Sequence, residues 1–302
     1  MLNENTHSAH GQTRRHFLQA AGTGAAALLA ADCCLGGTAA AVEKPQPSAK
    51  MPGDTPLRLG LASYSLRKFP LEKALAMTQR VGLQHICLKS FHLPVASKPA
   101  EIAAAAEKVK AAGLDLYGCG VVTMKNKAEV DQAFDYAQAA GMKVIVGSPM
   151  PEVLALVNDK VRQTGIAVAI HNHGPGDKTY PTPESVYEKI KDLDRRIGLC
   201  IDVGHTLRIG ADPIRDAERF AARVLDVHIK DVTAAQPGAH EIVVGRGVID
   251  IPRLLETLMK IKFAGVVAFE YENEPDDPLP GLAESVGYVR GVMAALKAKQ
   301  TS

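Results

Sequence analysis

The strongest constraint on the fold is a punctuation that repeats along the chain. A helical stretch ends, a glycine follows, and an apolar strand begins at Gly82-Leu83, Gly113-Leu114, Gly141-Met142, Gly165-Ile166, Gly198-Leu199 and Gly265-Val266. The spacings are 31, 28, 24, 33 and 67 residues, the last being two units with an unmarked strand start at Val224. Glycine suits the left-handed residue that closes a helix. The segments between have helical periodicity. Ile102, Ala105, Ala106 and Val109 share one face, as do Val130, Ala133, Phe134 and Ala137, and later Leu254, Leu255, Leu258 and Ile261. Prolines at or near the helix starts (Pro70, Pro151, Pro183, Pro213, Pro252) stand where a missing N–H is harmless. With a first strand over 57–66, the pattern gives eight strands alternating with helices. Such alternation builds a parallel sheet. Eight units in about 245 residues predict an α/β fold, the (β/α)8 TIM barrel, for residues 57–300. A doubly wound open sheet is the alternative, but no GxGxxG follows the first strand.

Active sites of such barrels gather at the carboxyl ends of the strands. Four stretches of one build place ionisable residues there: 166–174 with His171 and His173, 198–206 with Asp202 and His205, 224–231 with His228 and Lys230, and 266–272 with Glu270 and Glu272. Successive side chains on a strand alternate between faces. His171, Asp202, His228 and Glu270 therefore stand opposite the local apolar positions and predict one convergent ring of metal ligands.

Composition excludes several classes of function. The 302 residues carry a net charge of +2, and no run of Lys or Arg exceeds two, which argues against a nucleic-acid partner. Of the five cysteines, Cys87, Cys119 and Cys200 fall inside expected strands and read as small buried apolar residues. Cys33 and Cys34 lie near the amino end, and no CxxC spacing exists.

The amino end reads as an address. Thr13-Arg14-Arg15-His16-Phe17-Leu18-Gln19 resembles the twin-arginine export signal, followed by an Ala-rich apolar run from Ala20 to Ala31 and small residues at Ala39-Ala40-Ala41. The expectation is a signal peptide over 1–41, a linker over 42–56, and an exported, periplasmic protein. The apolar run is too short for a membrane span, so no stable membrane insertion is expected after signal removal.

The motifs Ile201-Asp-Val-Gly-His205, Val227-His-Ile-Lys-Asp231 and Val244-Gly-Arg-Gly-Val-Ile-Asp250 leading to Glu270 resemble the xylose-isomerase-like barrels, the sugar phosphate isomerase/epimerase group. The resemblance covers residues from about 57 to 298. It implies one divalent ion held by Glu, Asp, His and Glu from successive strands. By position the last three fall on Asp202, His228 and Glu270. The first falls on His171, where this sequence departs from the commoner Glu. Two oxygens and two imidazoles suit Mn²⁺, Zn²⁺, Co²⁺ or Fe²⁺ better than Mg²⁺. A metal-bound imidazole is a poor second base, which disfavours two-base epimerisation, and a His here is also similar to the inosose dehydratase branch.

The roles divide as follows. Glu270 is the ligand and Glu272 the base or a support behind it. His205 contacts a substrate oxygen or stands behind the ligands. His173 is the alternative ligand or a general acid. Lys230 meets an anion or oxyanion, or pairs with Asp231 or a rim carboxylate. Lys89, His92 and Arg246 are weaker candidates for contacting substrate, and Asp250 is a helix cap. The expected function is a metal-dependent isomerase or epimerase acting on a small unphosphorylated sugar or keto-sugar, a carbohydrate partner that export favours over sugar phosphates. The alternatives are a lyase, dehydratase or hydratase, and a non-catalytic sugar-binding protein. A repair endonuclease would need more ligands and a basic face. A homo-oligomer is left open.

Overall fold

The computed structural model describes residues 57–300. The signal, its cysteines and the linker expected over 1–56 lie outside the described residues. Eight parallel strands close into a barrel in the order β1-β10-β7-β6-β5-β4-β3-β2. These are β1 (Arg58–Ala62), β2 (His85–Leu88), β3 (Asp115–Met124), β4 (Val144–Pro149), β5 (Ala167–His171), β6 (Ile197–Asp202), β7 (Val224–Ile229) and β10 (Val266–Phe269). Two further short strands, β8 (Asp231–Val232) and β9 (Glu241–Ile242), pair antiparallel as a separate ribbon after β7.

Helices α1 (Leu71–Arg80), α2 (Pro99–Ala111), α3 (Lys127–Ala139), α4 (Leu154–Thr164) and α5 (Pro183–Ile190) follow β1 to β5 in turn. Two short helices, α6 (Val203–Arg208) and α7 (Pro213–Arg219), follow β6. Helix α8 (Ile251–Lys260) follows the ribbon, and α9 (Leu279–Gln300) follows β10. The apolar faces read from the sequence are the buried ones: Ile102, Ala105 and Val109 of α2, Val130, Ala133, Phe134 and Ala137 of α3, and Leu254, Leu255 and Leu258 of α8.

A large apolar layer lies between strands and helices. A second, smaller cluster of Ala62, Cys87, Tyr117, Val146, Ala169, Cys200, Val266 and Ala268 fills the lumen. By alternation it shares the strand face that carries the polar strand ends. Cys87, Cys119 and Cys200 are free and buried. Among the described residues, no helix is long and apolar enough to cross a membrane.

Two expectations are corrected. The first strand stops at Ala62 instead of running to Leu66, and Ser63–Leu66 form a tight 3-10 turn. Serines that compete for backbone groups end the strand: Ser65 Oγ accepts from Tyr271 N–H (2.8 Å) and lies 3.0 Å from Ala62 O, while Ser63 Oγ accepts from Lys89 N–H. Gly82, Gly113, Gly141 and Gly165 do adopt positive φ, but Gly198 and Gly265 do not. Close packing requires those two instead. A Cβ on Gly198 would stand 2.2 Å from Arg223 O, and one on Gly265 would stand 2.1 Å from Leu225 O.

Candidate metal centre

His171 ends β5, Asp202 ends β6, His228 is the penultimate residue of β7, and Glu270 directly follows β10. Barrel register sets Asp202 beside His228, after a bulge between Leu199 and Cys200. The four side chains converge, each buried. His171 Nε2 stands 3.1 Å from His228 Nδ1, 3.4 Å from Asp202 Oδ2 and 3.9 Å from Glu270 Oε2. His228 Nδ1 stands 3.1 Å from the same Glu270 oxygen.

These spacings fit a resident divalent ion. Around a tetrahedral ion with bonds of about 2.1 Å, neighbouring donors stand about 3.4 Å apart. The charge balance agrees. Lys230, wholly buried just after β7, places Nζ 3.0 Å from Asp202 Oδ2, 2.9 Å from Glu270 Oε2 and 2.6 Å from Glu272 Oε1. At formal charges, the buried Asp202 and Glu270 against one ammonium leave one surplus negative charge, to which Glu272 at the rim adds another, and a divalent cation would neutralise both. Cys200 also approaches the two histidines, but burial pushes its thiol well up, so it is a poor ligand beside the carboxylates.

The electrostatics keep three of the four donors in ligating form, whereas at His228 burial is outweighed by Glu270, Asp226 and Asp202, which raise its pKa. Burial pushes His171 down to about 3, which leaves it neutral. Burial opposes ionisation of Asp202 and Glu270, yet Lys230 together with the neighbouring histidines outweighs it and holds both carboxyls well below the usual range. Asp202 has a second duty: its Oδ1 accepts from His205 N–H (2.7 Å), capping α6. Asn172 locks the neighbouring strand ends, accepting from Asp202 N–H (3.1 Å) and donating to Thr206 Oγ1 (3.0 Å).

The other candidates divide into two groups. His205 lies at the cluster's edge, with Nε2 4.0 Å from Asp202 Oδ2. Its Nδ1 faces an Arg208 N–H at 2.9 Å and must accept, so Nε2 carries the hydrogen of the neutral ring. The His173 ring lies 4.5 Å from that of His171, but its Nδ1 turns to Asp177 Oδ2 at 3.2 Å, and it is outside the four-residue cluster. Glu272 is the most open of the acids, 35 % exposed.

Among the described residues, no hydrogen bond or ion pair joins Lys89, His92 or Arg246 to the cluster. His92 is a clamp between Ser63 Oγ (2.8 Å) and Phe69 O (3.0 Å). Lys89 Nζ lies 5.4 Å from the centre of the Tyr64 ring. Arg246 forms a two-pronged pair with Glu284 of α9 (2.5 and 2.7 Å). Lys230 pairs with strand-end and rim carboxylates and not with Asp231. Asp231 instead accepts four backbone N–H groups, from Val232, Gly245, Gly247 and Ile249. The glycines of Gly245-Arg246-Gly247 serve that turn: Gly245 has φ +95°, and a Cβ on Gly247 would meet Asp231 Oδ1 at 2.2 Å. Asp250 caps α8 through Arg253 N–H.

Two acids escaped the sequence reading. Asp226, two residues before His228 on the same face, is buried beneath the cluster with Oδ1 3.8 Å from His228 Nε2. The inward alternation of β7 was the signal for it. Glu241 on β9 lies near Lys230, with Oε2 3.9 Å from Nζ. No periodic pattern marks it, because it stands in a connection.

A closed eight-stranded barrel with its polar cluster at the carboxyl strand ends defines a (β/α)8 barrel with a candidate metal centre. The chain belongs to the xylose isomerase-like TIM barrel family, which matches residues 55–292. The rhizopine catabolism protein MocC of Rhizobium meliloti is 29 % identical over 145 residues, 43 % of this chain and 44 % of that protein. Inosose dehydratase of Lacticaseibacillus casei is 25 % identical over 138 residues, 40 % of this chain and 46 % of that protein. The chain thus spans less than half the length of these curated relatives. Among solved structures, an L-ribulose 3-epimerase superposes with a TM-score of 0.65 at 17 % identity, covering 81 % of this chain and 97 % of that one. A 3-keto-D-glucoside 4-epimerase from E. coli gives 0.60 at 14 %, covering 78 % and 99 %. These two likenesses concern the fold alone.

Proposed function

We propose that the chain is a divalent-metal-dependent isomerase-type enzyme. It transfers a proton beside the carbonyl of a small unphosphorylated sugar or keto-sugar, and is exported through its twin-arginine signal to the periplasm. The observation that carries this reading is the convergence of His171, Asp202, His228 and Glu270, with the surplus negative charge around Lys230. When bound, a transition-metal ion supplies Lewis-acid polarisation of the carbonyl, which acidifies the neighbouring C–H.

The chain's own residues do the rest. Glu272, the exposed acid on the rim, receives the proton, and Lys230 fixes its carboxylate at 2.6 Å. His205 presents an Nε2–H toward a substrate oxygen, and burial holds its ring pKa below the usual value. Lys230 hydrogen-bonds Glu270 and Glu272, pairs electrostatically with Asp202, and acts as a charge clamp.

A second reading, β-elimination from a keto-sugar or keto-glycoside, is favoured by one observation. Glu241, Glu270 and Glu272 all gather around one ammonium, with an imidazole at the position where a second base would stand. That arrangement suits chemistry on one face of the substrate.

The test is metal content by mass spectrometry after purification without chelator. The wild type is expected to hold about one transition-metal ion per chain, with loss in Asp202→Ala and in His171→Ala. A metal-free wild type that stays so after addition of Mn²⁺ or Zn²⁺ refutes the catalytic reading and leaves a sugar-binding barrel. Loss in Asp202→Ala alone moves the ligand role from His171 to His173.

A further inference from the structure

Glu241 belongs to no barrel strand. It comes from the ribbon β8–β9, which lies in sequence between β7 and α8 and brings Glu241 beside Glu272 and Lys230. Its side chain is 8 % exposed. Its two oxygens are in different situations. Oε1 accepts from Glu272 N–H at 2.6 Å. Oε2 is buried without a hydrogen-bond partner.

The nearest cation does not serve Oε2. An ammonium has three N–H donors. Lys230 hydrogen-bonds Glu272 and Glu270 at 2.6 and 2.9 Å, and its next carboxylate oxygen is Asp202 Oδ2 at 3.0 Å, an ion-pair contact, while Glu241 Oε2 stands off at 3.9 Å. A fourth carboxylate charge beside three others, without a donor of its own, is costly in a buried place. A neutral carboxyl is not, and with Oε1 accepting, its hydrogen belongs on Oε2. No hydrogen bond to Oε2 is present in the structure, so that hydrogen is uncommitted and can pass to a substrate oxygen that reaches it.

We propose that Glu241 is the proton donor of this site, the carboxylic acid that protonates the oxygen leaving a β-alkoxy or β-hydroxy ketone. The proposal rests on the metal-dependent reading above and deepens its elimination branch. The step balances. Glu272 takes the proton from the carbon beside the carbonyl, and the C–H electron pair becomes the carbon–carbon double bond. The bond from the next carbon to oxygen breaks, its pair leaves with the oxygen, and Glu241 Oε2 supplies the proton that makes the departing group an alcohol or water. Exchange with solvent returns the proton from Glu272 and restores Glu241.

The groups facing Glu241 agree with a neutral acid. Lys230 approaches from the end of β7, and Glu270, Tyr271 and Glu272 from the segment after β10. Burial, opposed by Lys230 but reinforced by Glu272, lifts the Glu241 carboxyl to about 8.

The experiment uses the full chain loaded with Mn²⁺ and two probes, the methyl and 4-nitrophenyl glycosides of 3-keto-D-glucose. Methoxide leaves only with a proton, whereas 4-nitrophenoxide leaves without one. In Glu241→Gln, the preference for the 4-nitrophenyl over the methyl probe, read as a ratio of kcat/KM, is expected to rise about 100-fold or more over wild type. An unchanged ratio overturns the proposal, whether both rates fall together or neither does. Deuterium uptake beside the carbonyl separates the two readings. Exchange by the wild type without release of either aglycone overturns the role of Glu241 and leaves isomerisation standing. Neither exchange nor release overturns both readings. Infrared spectra of the wild type give a second measurement: a protonated-carboxyl band present at neutral pH and fading as pH rises through about 8. Its absence also overturns the proposal.

Discussion

At the scale of single residues, the site is governed by how many donors one ammonium has. Lys230 hydrogen-bonds Glu270 and Glu272 and stands 3.0 Å from Asp202 Oδ2, and Glu241 Oε2 is left at 3.9 Å. This has a consequence for stability that needs no substrate. The Glu241 carboxyl titrates near 8 in the fold against 4.5 in the free chain. The folded state therefore keeps a proton that the unfolded state has released, so this contribution is complete below about 4.5 and is lost as pH rises through 8. Glutamine has no proton to lose. The melting temperature of Glu241→Gln is expected to exceed that of wild type by a margin that opens between pH 5 and 8 and is constant above, measured by calorimetry across that range.

The strand-end histidines and acids were legible because alternation and position along a strand determine where they point. Glu241 was not, because a connection has no period and its partner Lys230 is eleven residues away in sequence. For the same reason adjacency misled at Lys230. Asp231 was a natural guess as its neighbour in sequence, but neighbours on an extended chain face opposite ways.

At the scale of elements, the connection between β7 and α8 is held by one carboxylate. Asp231 collects N–H groups from Val232, Gly245, Gly247 and Ile249, so this irregular stretch needs no regular structure of its own. Replacing it leaves buried amides without acceptors, at a cost of about 1–3 kcal/mol for each group left unsatisfied. Asp231→Ala is expected to destabilise the fold by about 3 kcal/mol or more. It should also speed hydrogen exchange at the amides of Gly245, Gly247 and Ile249, read by NMR, well before those of β5 and β6. The glycines of this turn were visible in the sequence, but their reason was not. Their conformation and lack of a side chain serve Asp231, and Arg246 between them reaches outward to Glu284. The six helix-ending glycines show the same limit. The βα rhythm they marked was correct, yet Gly198 and Gly265 are there for close contact between strands and not for a turn.

At the scale of the whole molecule, the two ends of the barrel carry different burdens. The candidate chemistry sits at the carboxyl ends of the strands. At the opposite end Arg223, just before β7, donates to four carbonyls, those of Lys191, Leu193, Asp194 and Ile197. It ties the start of β6 to the start of β7 and touches nothing in the site. Lysine cannot reproduce that planar fork. Arg223→Lys is expected to cost about 2 kcal/mol or more in stability while leaving metal affinity and kcat within about twofold of wild type. Thermal unfolding and a metal titration on the same sample check both halves of that statement.

The ribbon β8–β9 gives this division a further meaning. All four candidate ligands are fastened to strands whose register the closed barrel fixes, so none can be moved without disturbing its neighbours. Glu241 hangs from an ornament of two residues per strand that shares no hydrogen-bonded edge with the barrel. The ribbon is thus an exchangeable cassette. A lineage that lengthens, trims or rewrites those few residues can retune which group departs from a substrate, and inherit the metal-binding wall unaltered.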